Sequence, residues 1–232
     1  MVFRGRYFGW IAVGLFFSCQ VLDKKTPEAT MPLNQIYLHC QVTGDDEREF
    51  VTVLIQLFKG RTQGKAIKMP EPGFVELNGN VLIADSTPVT GYFYEMMVPV
   101  EEFRGEHKIT IADDAKQQAS ETFSYSPFQL VTQLGPSISK QDLVFELRGV
   151  EEEEPVQVVL IDTVYSTSDI NRIDTVENNQ LFISQNDLYN IETGPVTLLI
   201  YKEETKKADS PNLLGGRLRL SFGIKREFDL TD

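Results

Sequence analysis

An all-β protein built as two antiparallel β-sandwiches is what this sequence predicts. Three observations carry that expectation: apolar and polar residues alternate along most of the chain, turn signals break the alternation at short intervals, and no window holds a sustained apolar stripe at i, i+3, i+4, i+7. A strand with this pattern buries one face, so two sheets must cover each other. The 232 residues allow one large or two ordinary domains.

The first element is the N-terminal segment "MVFRGRYFGWIAVGLFFSC". Arg4 and Arg6 form a basic start, an apolar run extends from Phe8 to Phe17, and Ser18-Cys19 closes it. This is the layout of a secretory signal, and the apolar run is about half the roughly 20 residues that a spanning helix needs. The ending resembles the lipobox of bacterial lipoproteins. By that resemblance Ser18 flanks the cleavage site, residues 1–18 are a signal peptide, and Cys19 becomes the acylated first residue of the mature chain. The alternatives are a plain signal peptide cut elsewhere and a short buried helix. Two or more acyl chains anchor stably where one does not, so the resemblance implies a membrane partner through an N-terminal lipid anchor. Gln20, where aspartate would signal inner-membrane retention, points by the same resemblance to the outer membrane. Residues 19–32, polar and holding two prolines, read as a flexible tether.

Removing 18 of the 232 residues leaves 214, and the loss of Arg4 and Arg6 moves the formal charge from −12 to −14. So acidic a body excludes nucleic acid as a partner class, because phosphates call for clustered Lys and Arg. Trp10, the only tryptophan, leaves with the signal. An acylated Cys19 also leaves Cys40 without a disulfide partner; Cys40 alternates with polar residues in "QIYLHCQV" and reads as an inert buried thiol.

Residues 33–126 are expected to form the first sandwich. Strands are placed near Gln35–Thr43, Arg48–Lys59, Phe74–Leu77, Val81–Ala84, Gly91–Val98, Glu106–Asp113 and Ala119–Tyr125. In "FVTVLIQLF" Val51, Val53, Ile55 and Leu57 share a face. Asn78-Gly79 in "ELNGNVLI" is a two-residue hairpin signal, since both turn positions want positive φ. "GYFYEMMV" is large and apolar on both faces, which suits a central strand covered on both sides.

Pro127 and Pro136 mark the boundary, and residues 127–232 are expected to form the second sandwich. Leu143, Phe145 and Leu147 share a face, "PVQVVLIDTVY" reads as a central strand, and a helical turn falls at Asn186–Asn190 between two strands. At the C-terminus Leu218, Leu220, Phe222 and Ile224 alternate with polar residues, and a bulge or bend is expected near Gly223–Arg226. The pattern resembles the tandem immunoglobulin-like (Ig-like) modules of bacterial envelope lipoproteins, without the buried Trp and paired Cys of antibody domains.

The sequence holds no convergent chemistry. His39 and His107 are far apart and read as outward-facing strand residues, with no metal-ligand spacing around them. No Gly-x-Ser-x-Gly or phosphate loop occurs. The acidic runs Asp45-Asp46-Glu47, Asp113-Asp114 and Glu151–Glu154 lie in connections, where they are either solvated loop charges that guard sheet edges or carboxylates able to hold calcium. No metal and no cofactor is implied. Tyr92, Tyr94 and Tyr165 are candidate ligand contacts. The leading expectation is a non-catalytic, lipid-anchored binding or assembly module of the bacterial envelope, with an unknown protein or glycan as partner. Its rivals are a surface glycan-binding protein of a carbohydrate-uptake system and an enzyme with a carboxylate-based site.

Overall fold

The structure, a computed structural model, describes residues 31–60, 65–162 and 169–232. The first half of the chain contributes β1 (Ile36–Asp45), β2 (Phe50–Lys59), β3 (Phe74–Leu77), β4 (Asn80–Val81), β5 (Ala84–Thr87), β6 (Gly91–Pro99), β7 (Gly105–Ala112) and β8 (Gln118–Tyr125). The second half adds β9 (Gln129–Leu130), β10 (Ser137–Ser139), β11 (Leu143–Arg148), β12 (Pro155–Asp162), β13 (Ile170–Thr175), β14 (Gln180–Ile183), β15 (Gly194–Lys207) and β16 (Gly215–Thr231). Apart from two single 3-10 turns, regular structure among the described residues is all strand. The fold class is all-β, as the alternation predicts.

The strands form three sheets. β4-β3-β7-β8 and β14-β11-β9 are small antiparallel sheets, while β13-β12-β15-β16-β1-β2-β6-β5 make one large sheet to which β10 is added on β16. Strands from both sides of Pro127 therefore share the large sheet, and the seam between them is the parallel pair β1 and β16, in register from Tyr37 opposite Gly215 to Asp45 opposite Gly223.

Alternation drives the packing. Ile36, Leu38, Cys40 and Val42 of β1 are buried beside Val51, Val53, Ile55 and Leu57 of β2, in one contiguous apolar cluster that also takes in Leu218, Leu220 and Phe222 of β16. Each such side chain removed from water stabilises the fold by roughly 1.5–3 kcal/mol. The Cys40 thiol is pushed up to about 12 by burial, so it stays protonated. At the β3–β4 connection Asn78 and Gly79 have φ of 52° and 84°, as the two-residue hairpin requires.

Three sequence expectations are corrected. β16 carries no bulge: its pairing with β15 runs without a break from Arg217 to Leu230. Arg226 takes an inward position of the same alternation and remains half-exposed because its guanidinium turns to Asp46, 2.6 Å away. β6 is not covered on both faces; Tyr94 is buried while Met97 is 61% exposed, since only one side of the large sheet faces the core there. His107 points inward with Ile109 and Ile111 and is 4% exposed, stacked on Phe103 with ring centroids 3.7 Å apart. His39 is half-buried on the outer face, opposite Arg217.

Candidate functional site

A concavity opens at the C-terminal end of β1, where the two halves of the chain meet. Its volume is about 690 Å³, within the range usual for ligand clefts. One wall is the β1–β2 turn, Asp45–Glu49, with the stretch following β6, Pro99–Arg104. The facing wall is Phe128–Val131 of the linker and β9, with Arg148 at the end of β11; Phe222 and Arg226 of β16 complete it.

Each wall has a local cause. Asp45 accepts the Arg48 N–H at 2.8 Å, which closes the β1–β2 turn. Val100 N–H donates to Glu49 C=O at 2.9 Å and ties the second segment to the first. On the floor, Phe128 and Phe222 meet edge to face at 5.6 Å, a favoured arrangement of ring quadrupoles. Beside them the Tyr125 hydroxyl donates to the Ser221 carbonyl at 2.8 Å, so the last residue of β8 is fastened to β16. Burial, and secondarily the Asp45 charge, hold this phenol well above its ordinary pKa.

The charges of the cleft are largely used up internally. Arg48 pairs with Asp45 at 3.3 Å, Arg104 with Glu101 at 3.5 Å and Arg226 with Asp46 at 2.6 Å. Arg148 is exposed and is in no ion pair among the described residues. The acidic runs act as turn caps and ion-pair partners: Glu154 contacts Lys202 at 2.6 Å and accepts the Glu151 N–H, and Asp113 accepts the Gln117 N–H. Among the described residues no three His, Cys, Asp or Glu side chains gather where they could hold a metal ion.

Of the residues singled out from the sequence, Ser18, Cys19 and Tyr165 lie outside the described residues. Tyr94 serves the core: it is 3% exposed, and its hydroxyl accepts the Met69 N–H at 2.9 Å. Tyr92, at the start of β6, is 42% exposed and takes no part in the cleft. Sequence reading missed Arg148, Phe128 and Phe222 as neighbours. Nothing in the local alternation distinguishes them, because they come together only where β11, the linker and β16 converge.

No family model matches the chain, and no curated protein matches it. Among solved structures it is similar to DIP-gamma IG1+IG2 at 10% identity, over 81% of this chain and 94% of that one, with a TM-score of 0.24. It is also similar to a bacterial ice-binding adhesin studied for host cell surface retention, at 13% identity over 87% of this chain and 65% of that one, TM-score 0.25. For murine CEACAM1b the values are 10%, 84% and 98%, TM-score 0.22. At these TM-scores the likeness is too distant to define the fold, which the strand pairing defines by itself.

Proposed function

We propose that the chain is a non-catalytic binding or assembly module of the bacterial cell envelope, held to the outer membrane through acylated Cys19, with the junction cleft as its ligand surface. The observation that carries this reading is the placement of the cleft relative to the chain's entry. The described body begins beside β1's first residue, where Gly60 N–H donates to Gln35 C=O and Leu214 N–H to Ile36 C=O. The cleft lies at β1's other end, at Asp45. Ten residues of strand at 3.3 Å each separate them by about 30 Å. A lipid at Cys19 thus joins the body at the end of β1 opposite the cleft, and the attachment point leaves the cleft clear for a ligand. The non-catalytic reading is supported by the cleft carboxylates Asp45, Asp46 and Glu101, each engaged by an arginine instead of facing a second carboxylate as a proton-exchanging pair.

Two measurements test it. Mass spectrometry of the membrane-extracted protein is expected to find an acylated N-terminal Cys19, and Cys19→Ala to shift the protein to the soluble fraction; an unmodified Cys19 removes the anchor. A photo-crosslinking residue at Gln129, on the cleft wall, is expected to give a discrete adduct in intact cells that Arg148→Glu abolishes. The same adduct from a crosslinker at exposed Lys108, outside the cleft, would remove the cleft from the proposal.

A further inference from the structure

On one side β16 is paired with β15 along almost its whole length. On the other, β1 accompanies it only as far as Gly223, and β10 takes over at Asp229. Between those points Ile224–Phe228 has no strand neighbour on that side among the described residues. The hydrogen bonds at the two rims say which main-chain groups face the gap. Asp46 N–H donates to Gly223 C=O at 3.0 Å, and Asp229 N–H donates to Pro136 C=O at 2.8 Å. Lys225 N–H donates to the Asp46 carboxylate at 3.2 Å, and Lys225 C=O accepts Arg226 Nη1 at 2.6 Å. The odd-numbered residues of β16 thus turn both main-chain groups to this side. Glu227 is left with one N–H and one C=O directed into the gap, neither with a partner there among the described residues.

We infer that this gap receives an extended peptide segment, which pairs with Glu227 as an added strand and sends alternate side chains into the cleft. The inference rests on reading the cleft as the ligand surface and names its ligand class. A donor and an acceptor presented side by side on a strand edge are matched by the C=O and N–H of another extended chain. From Gly223 to Asp229 the edge runs about 20 Å at 3.3 Å per residue, and with Asp46 and Pro136 already bonded at its rims it leaves room for roughly three residues between two strands that already run parallel to β16. Asp46 and Arg226 border both gap and cleft, so a chain lying in one projects into the other. The Arg148 guanidinium, in no ion pair among the described residues, suits an acidic side chain or terminal carboxylate of that peptide.

The test is to select a phage-displayed library of random eight-residue peptides on the purified protein and titrate an enriched, fluorescein-labelled peptide by anisotropy. Binding is expected to weaken at least tenfold when alternate peptide N–H groups are methylated. Glu227→Pro, which removes a donor that the β15 ladder does not use, is expected to weaken it by a similar factor, and Arg148→Glu to weaken acidic peptides. Circular dichroism checks that the proline variant folds; if it does not, the N-methyl series decides alone. No enrichment over an unrelated β-sandwich protein overturns strand addition, leaving a charge-guarded edge. A peptide indifferent to N-methylation but lost with Arg148→Glu overturns strand addition while keeping the cleft. Indifference to both removes the cleft as well.

Discussion

At the scale of single residues, His107 and Asp187 are ionisable groups whose surroundings push their stability contributions in opposite directions with pH. Lys108 N–H donates to Asn78 Oδ1, which fixes the amide so that its Nδ2 donates to His107 Nδ1 at 2.9 Å. The ring proton is therefore on Nε2, which is buried without a hydrogen-bond partner among the described residues. Protonation would place a second donor against the Asn78 amide. Burial lowers the His107 pKa below 6.5, against a smaller raising influence of the Phe103 backbone. The unfolded chain then takes up a proton more readily than the folded one, so stability is expected to fall as pH drops below about 6.5 and to level off under the folded pKa. His39 is lowered too, by burial and then by Arg217 and Arg219, and contributes with the same sign. Urea midpoints between pH 7 and pH 5 should decline in the parent and decline less in His107→Phe.

Asp187 behaves oppositely. The hydrogen bond from Arg172 at 2.8 Å is the main cause of its lowered pKa, and the Ser184 hydroxyl and N–H assist against a smaller desolvation effect. Its contribution is present above the ordinary carboxylate pKa of 3.8 and is lost as pH falls through the lower folded value. Asp187→Asn should cost roughly 1 kcal/mol at pH 7, discounted for its partial exposure. The difference from the parent should shrink as the pH approaches 2; an undiminished gap there would assign the loss to packing instead.

At the scale of elements, the β1–β16 seam depends on close approach. A Cβ on Gly216 would lie 2.8 Å from the Leu38 carbonyl and 2.6 Å from the Ala208 Cβ. Gly216→Val is expected to destabilise by about 1–3 kcal/mol, the usual cost of overpacking, read as a lowered urea midpoint. Leu38→Ala, on the fully buried face of β1, should cost about 2–5 kcal/mol by opening a cavity. If Gly216→Val left stability unchanged, the seam would have to be looser than the pairing describes.

At the scale of the whole molecule, the shared sheet couples the two halves. Isolating residues 33–126 would strip β16 from β1, exposing a long strand edge and the apolar face that Leu218, Leu220 and Phe222 cover. The full protein is therefore expected to unfold in a single cooperative transition, with hydrogen exchange in β2 and β12 protected to the same free energy. The fragment 33–126 should be unfolded or aggregated. Two separate transitions would mean that the seam carries little of the stability.

Features that depend on neighbours along the chain are legible in the amino-acid order alone. Alternation placed β1, β2, β3, β7 and β8 within a residue or two of their observed limits, and Asn78-Gly79 specified its turn, because side-chain direction in a strand repeats every second residue and turn φ is a local property. The same alternation misleads where its phase needs a partner strand to set it. It puts His107 on the outer face and makes Arg226 a phase break, where the structure has both on the inner face. Only tertiary structure decided that β16 pairs with β1 across 170 or more residues of chain, that Arg148 and Phe128 meet Phe222, and that β1 and β10 stop short of each other. Those facts arise from which strand edges find one another in space, and strand pairing at such separation leaves no periodic trace in the chain.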